Sequence, residues 1–157
     1  MNPGVQPRRR LLLLLATNGG LGNFPWAPGT VGTLAGIPAF WLLARLPAPL
    51  YLLVWTALLI LACWVAHEAG RYYGVVDDRR IVIDELVGYL VTVALVPFSW
   101  TTALLGFVFF RLFDILKVWP ASWFDRRMKN GVGVVLDDVV AGLYGAAALH
   151  LCLAFLG

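Results

Sequence analysis

A chain of 157 residues is one domain's worth, but 61% hydrophobic residues, only 13% charged residues and a mean hydropathy of +0.81 exclude a soluble domain and describe an integral membrane protein. The formal net charge of +3 gathers into three clusters, Arg8 to Arg10, Arg71 with Arg79 and Arg80, and Arg126 with Arg127 and Lys129. These flank apolar runs and no nucleic-acid module accompanies them, so nucleic acid is not expected as a partner.

The chain opens on a basic tail over residues 1–10, followed by the apolar run Leu11 to Ala16. This start resembles a secretion signal, but the apolar core is too short and no small-x-small cleavage site follows, so it reads as retained. Over residues 11–33, Gly19, Gly20, Gly22, Pro25, Pro28, Gly29 and Gly32 bring too much turn chemistry for a spanning helix, which predicts a re-entrant or interfacial segment. Within it, Ala27-Pro-Gly-Thr-Val-Gly-Thr33 places Thr30, Gly32 and Thr33 at a helix start, where backbone N–H groups suit phosphate. Ordinary capping by Thr30 or Thr33 accounts for the same residues.

Apolar helices are then predicted over about 32–46, 51–66, 81–97 and 101–117, with a fifth from near Asp137-Asp138 to the C-terminus. Residues 67–80 and 118–136 read as polar connections. The expected fold is all-α, a small polytopic bundle of about five membrane helices plus the N-terminal segment, forming a single membrane-embedded domain over 1–157. Runs of this length reach roughly 22 to 30 Å, so some need tilt or bilayer thinning to cross. With five crossings the three basic clusters fall on one side, and the positive-inside rule makes that side cytoplasmic. The same assignment carries every acid in the chain to that side.

Three acidic points come to one level there: Asp84-Glu85 opening the third helix, Asp114 near the end of the fourth, and Asp137-Asp138 opening the fifth. Carboxylates at helix N-termini gain from the macrodipole, but that does not explain adjacent pairs. Five converging carboxylates repel unless a cation lies among them, and such hard oxygen ligands suit Mg²⁺, Mn²⁺ or Ca²⁺. Gly88 and Gly142, each four residues beyond an acid, would let helices approach closely below the site. Arg111, Asp114 and Lys117 recur at three-residue steps and share one helix face, so the cations can face a phosphoryl group. Interhelical salt bridges with no ligand remain the competing reading of all these charges. His67 and His150 each stand alone, Cys63 and Cys152 lack a metal or redox spacing, and the cysteine, Asp-x-Asp-x-Thr and phosphohistidine phosphatase patterns are missing from the chain.

Five motifs now carry a family pattern: Ala27-Pro-Gly-Thr-Val-Gly-Thr33, Ile83-Asp-Glu-Leu-Val-Gly88, Phe110-Arg-Leu-Phe-Asp-Ile-Leu-Lys117 with Trp119-Pro120, Trp123-Phe-Asp-Arg126, and Asn130-Gly-Val-Gly-Val-Val-Leu-Asp-Asp-Val-Val-Ala-Gly142. Together, in order over about residues 17–145, they resemble bacterial phosphatidylglycerophosphatase A. The resemblance implies a Mg²⁺-dependent enzyme of the bacterial inner membrane, multi-pass, with its site on the cytoplasmic side. Its substrate would be phosphatidylglycerophosphate, cleaved to phosphatidylglycerol and phosphate among membrane lipids. Asp84, Glu85, Asp114, Asp137 and Asp138 are then the candidate metal ligands or acid–base groups, with Arg111, Lys117, Thr30, Gly32 and Thr33 for the substrate phosphate. Attack by a metal-activated water and attack by an aspartate both stay open, as does oligomeric state. The alternative class is a non-enzymatic small transporter or scaffold with a buried charge network. No role falls on residues 68–80.

Overall fold

Residues 7–156 are described by the structure, a computed structural model; the first six residues of the expected basic tail lie outside them. The described residues form helices and no strand: α1 (Pro7–Ala16), a 3₁₀ turn at Leu21–Asn23, α2 (Pro28–Leu34), α3 (Gly36–Leu43), α4 (Ala48–Tyr73), α5 (Ile83–Thr92), α6 (Trp100–Leu116), α7 (Ala121–Arg127) and α8 (Gly131–Leu156). Among them, α4 and α8 are long and apolar enough to cross a membrane.

Local chemistry sets the boundaries. Proline in the first turn and a left-handed Gly74 (φ 74°) bracket α4, which therefore continues past the expected end at 66 and carries His67, Glu68 and Arg71 on the helix itself. A capping box between Ser99 and Thr102 starts α6. For α8 the Asn130 side chain accepts from the Gly133 N–H at 2.9 Å, so the helix begins at Gly131. Asp137 and Asp138 thus lie about two turns inside α8, not at its opening as expected. The macrodipole, spent within the first turn, does not account for them. A short helix, α7, occupies part of the expected polar connection, following a cis Trp119–Pro120 bond.

Five helices pack on α5, which lies most extensively against α8 and also touches α2, α3, α4 and α6, while α1 packs on α4 and α7 on α8. It is far shorter than the helix expected over 81–97, because it ends within the protein interior at Thr92. Backbone groups freed at such an end must find partners. In the last turn Tyr51 OH donates to the Leu90 carbonyl at 2.7 Å; one turn earlier Trp55 Nε1 donates to the Val87 carbonyl at 3.1 Å, and Thr92 Oγ1 ties the helix end to α8 through the Gly142 carbonyl at 3.1 Å. Val87, Tyr89, Leu90 and Val93 are fully buried, each aliphatic one contributing about 1.5–3 kcal/mol. The expected glycine contact is present. A Cβ on Gly142 would strike the Gly88 carbonyl, and one on Gly88 would meet the Asp138 carbonyl at 2.7 Å, so α5 and α8 cross almost backbone to backbone. On the outer surface Leu104, Val108, Leu112 and Ile115 form an apolar stripe along α6, at the spacing of a helix face turned to hydrocarbon.

Candidate active site

The opening of α5, the end of α6 and the second turn of α8 meet in a cleft of ≈ 280 Å³. Its lining includes all five predicted carboxylates, Asp84, Glu85, Asp114, Asp137 and Asp138, together with Arg111 and Lys117. Three of these acids are nearly out of reach of solvent, Asp84 at 6%, Asp137 at 5% and Asp138 at 4% exposure.

The cations are shared out unevenly. Arg111 Nη1 bonds the Asp114 carboxylate one turn on and reaches Glu85 Oε2 at 3.2 Å, joining α6 to α5. Lys117 sits at the C-cap of α6 in the left-handed conformation (φ 44°), which swings its ammonium toward α7 and α8. There it contacts Asp125 Oδ1 at 3.0 Å and Asp137 Oδ2 at 2.6 Å. Asp84 and Asp138 have no cationic partner among the described residues. Asp84 Oδ1 accepts only the Glu85 N–H, at 3.0 Å, and Asp138 Oδ2 is buried with no hydrogen bond at all. Arg111 Nε is likewise buried and unpartnered. A buried carboxylate without a partner is costly, and two of them in one cleft compound the cost.

Two lining residues were missed by sequence reasoning, Asp77 and Arg79, both from the loop joining α4 to α5. Their signal was topological: the loop lies on the side that collects the acids, but it matched no family motif. Asp77 is exposed as a residue, yet the protein around its carboxyl desolvates it and raises its pKa, with Lys117 acting in the opposite direction. Its neighbour Asp78 is held below the usual carboxylate range by the hydrogen bond from Arg80. Counting the lining, six carboxylates face three cations, a formal excess of three negative charges. Such a cleft repels a phosphomonoester unless further positive charge enters it. As the side chains stand, no three carboxylate, histidine or cysteine groups among the described residues are set to hold a metal ion, because Glu85, Asp114 and Asp137 are drawn to Arg111 and Lys117.

The turn before α2 contributes differently from expectation. Ala27, Pro28 and Gly29 line the cleft, whereas Thr30, Gly32 and Thr33 do not. Gly32 packs on Val82, and Thr33 is fully buried with its hydroxyl 2.8 Å from Glu85 Oε2, where it orients that carboxylate. Gly29 is required by the same approach, since a Cβ there would strike the Glu85 carboxylate.

Comparison with known proteins gives the arrangement relatives. A family model described as phosphatidylglycerophosphatase A matches residues 14–153. Proteins of that name from Escherichia coli and Haemophilus influenzae are each 40% identical, over 87% and 83% of this chain and 80% and 82% of their own lengths. A Bacteroides thetaiotaomicron protein named "Putative phosphatidylinositol-3-phosphatase" is 36% identical over 85% of this chain and 88% of its own. No solved structure matches the chain significantly.

Proposed function

The chain belongs to the phosphatidylglycerophosphatase A family, and on that premise we propose that it hydrolyses the phosphomonoester of phosphatidylglycerophosphate to phosphatidylglycerol and phosphate. The observation that carries this reading is the single cleft in which five carboxylates from three helices face Arg111 and Lys117. Hydrolysis forms one P–O bond from water and breaks the ester P–O bond. One group must therefore take a proton from the attacking water, and another must protonate the departing glycerol oxygen. These proton transfers would fall to carboxylates of the cleft other than those that hold a cation. Arg111 and Lys117, both lining the cleft, would meet the charge that accumulates on the nonbridging phosphoryl oxygens, Arg111 offering a fork and Lys117 a point charge.

A divalent cation, Mg²⁺ by the chemistry of an all-oxygen donor set, fits the negative excess of the cleft and the orphaned Asp138 oxygen; Asp84 and Asp138 would hold it. Bound there, it would supply Lewis-acid stabilisation of phosphoryl charge. Attack by an aspartate instead of water predicts a trappable phospho-enzyme, and direct hydrolysis predicts none. For the whole chain we propose a multi-pass protein of the bacterial inner membrane in which the apolar helices α2–α3, α4, α5, α6 and α8 form the embedded bundle. The positive-inside rule, applied to the three basic clusters of the sequence, would put the mouth of the cleft on the cytoplasmic face.

Phosphate release from a panel of lipid phosphomonoesters, by purified protein with and without Mg²⁺, tests this reading. Release from phosphatidylglycerophosphate above other lipids is expected. Ion or solute flux in liposomes with no phosphate release from any phospholipid would favour the transporter or scaffold class instead.

A further inference from the structure

The three cations of the cleft differ in how far they are committed. Arg111 and Lys117 are each tied to two carboxylates, whereas Arg79, exposed at the cleft mouth, makes no ion pair among the described residues. The backbone that carries it is nevertheless fixed, because the residues on both sides of it are pinned. Arg80 forms a two-pronged bond to Asp78 at 2.7 and 2.8 Å and lies 3.7 Å over the Tyr73 ring. The Ile81 N–H closes on the Asp78 carbonyl at 2.8 Å, and Val82 is held by the Ala16 carbonyl and the Asn18 side chain, at 2.8 and 2.7 Å. With Arg80 turned to Asp78 and Tyr73, Arg79 is the arginine this loop presents to the cleft.

Depth separates the cations as well. The Arg111 side chain is only 16% exposed, while Arg79 stands at the surface. Exposed apolar residues border both the loop and the end of α6, Val75 and Val76 preceding Asp77, and Leu116 and Trp119 flanking Lys117. That border suits the glycerol and acyl region of a lipid. A lipid entering headgroup first would put its terminal phosphomonoester deep, beside Arg111, and its bridging phosphodiester, closer to the acyl chains, at the mouth.

From this we infer that Arg79, pinned at the cleft mouth and free of ion pairs, binds the phosphodiester of the substrate and so selects lipids that carry a second phosphate between headgroup and diacylglycerol. The inference rests on the phosphatase reading and adds to it a residue that sets specificity. A guanidinium fork on a phosphodiester is a charge-assisted, two-point contact that lysine only partly reproduces.

The test uses the full-length protein in detergent micelles and two readouts. The first is equilibrium binding of short-chain phosphatidylglycerol, which has the diester and no monoester. Arg79→Gln is expected to weaken it by about 10- to 100-fold, with Arg79→Lys in between. The second is hydrolysis of phosphatidylglycerophosphate, in which Arg79→Gln raises KM by about the same factor with kcat within about threefold, while inhibition by inorganic phosphate keeps its constant. Equal or undetectable phosphatidylglycerol binding by wild type and Arg79→Gln would overturn the inference. So would an inhibition constant for inorganic phosphate that rises in step with KM, since Arg79 would then hold the monoester. Binding that depends on Arg79 in a protein that releases no phosphate would leave this site standing and remove the phosphatase reading.

Discussion

At Arg111 one guanidinium holds two carboxylates from different helices, while in the same cleft Asp138 keeps a buried oxygen that nothing bonds. The two sites predict opposite responses to substitution. Arg111→Met leaves Glu85 and Asp114 facing each other without their cation, and breaking a buried pair in this way costs about 3–5 kcal/mol; thermal unfolding in detergent should show it plainly. Asp138→Asn removes a charge that has no partner, so unfolding should occur at the same temperature or higher, while turnover falls by at least about 100-fold. A variant of Asp138 that remained active would move the chemistry to another carboxylate. Residue types alone brought Asp84, Glu85, Asp114, Asp137 and Asp138 to notice, and all five line the cleft. Residue types could not tell which acids a cation already holds, because that depends on where the left-handed turn at Lys117 sends its side chain.

Between α5 and α8 the contact is set by Gly88 and Gly142, and its tolerance is correspondingly small. Gly142→Ala would drive a methyl into the Gly88 carbonyl, a backbone atom that cannot rotate away, and should lower stability by about 1–3 kcal/mol in thermal unfolding. The loop between α4 and α5 is held by charge. The folded pKa of Asp78 is depressed, so its contribution is fully present above the unfolded value of about 3.9 and is lost as pH falls through the folded value. Hydrogen exchange over residues 74–82, corrected for intrinsic rate, should therefore be flat from neutral pH to about 4 and lose protection below it. Asp78→Ala should show the unprotected rate at every pH. The apolar runs were legible as helices, since periodicity and turn residues mark them. Their ends were not: Asn130 starts α8 earlier than the acids suggested, and α5 stops where Tyr51, distant in sequence, donates its hydroxyl to the Leu90 carbonyl.

For the molecule as a whole, two helices long and apolar enough to span a membrane and an exposed apolar stripe on α6 accompany a short buried helix that carries acids at its opening. The five motifs were sufficient to identify the family: four of them supply residues that line one cleft, and the other supplies Asp125, which pairs with Lys117 of that cleft. The loop bearing Asp77 and Arg79 escaped notice because its contribution is a position in space and not a pattern of residues. The proposed chemistry requires the negative excess of that cleft to be met by a divalent ion. The most direct test is equilibrium titration of the metal-stripped wild-type protein with Mn²⁺, a stand-in for Mg²⁺ at oxygen ligands, followed by electron paramagnetic resonance of the free ion. Saturable binding that Mg²⁺ displaces and that the Asp84→Asn, Asp138→Asn double variant loses is the predicted result. A wild-type protein that leaves the Mn²⁺ signal untouched, or a double variant that binds the ion as well as wild type does, would contradict it.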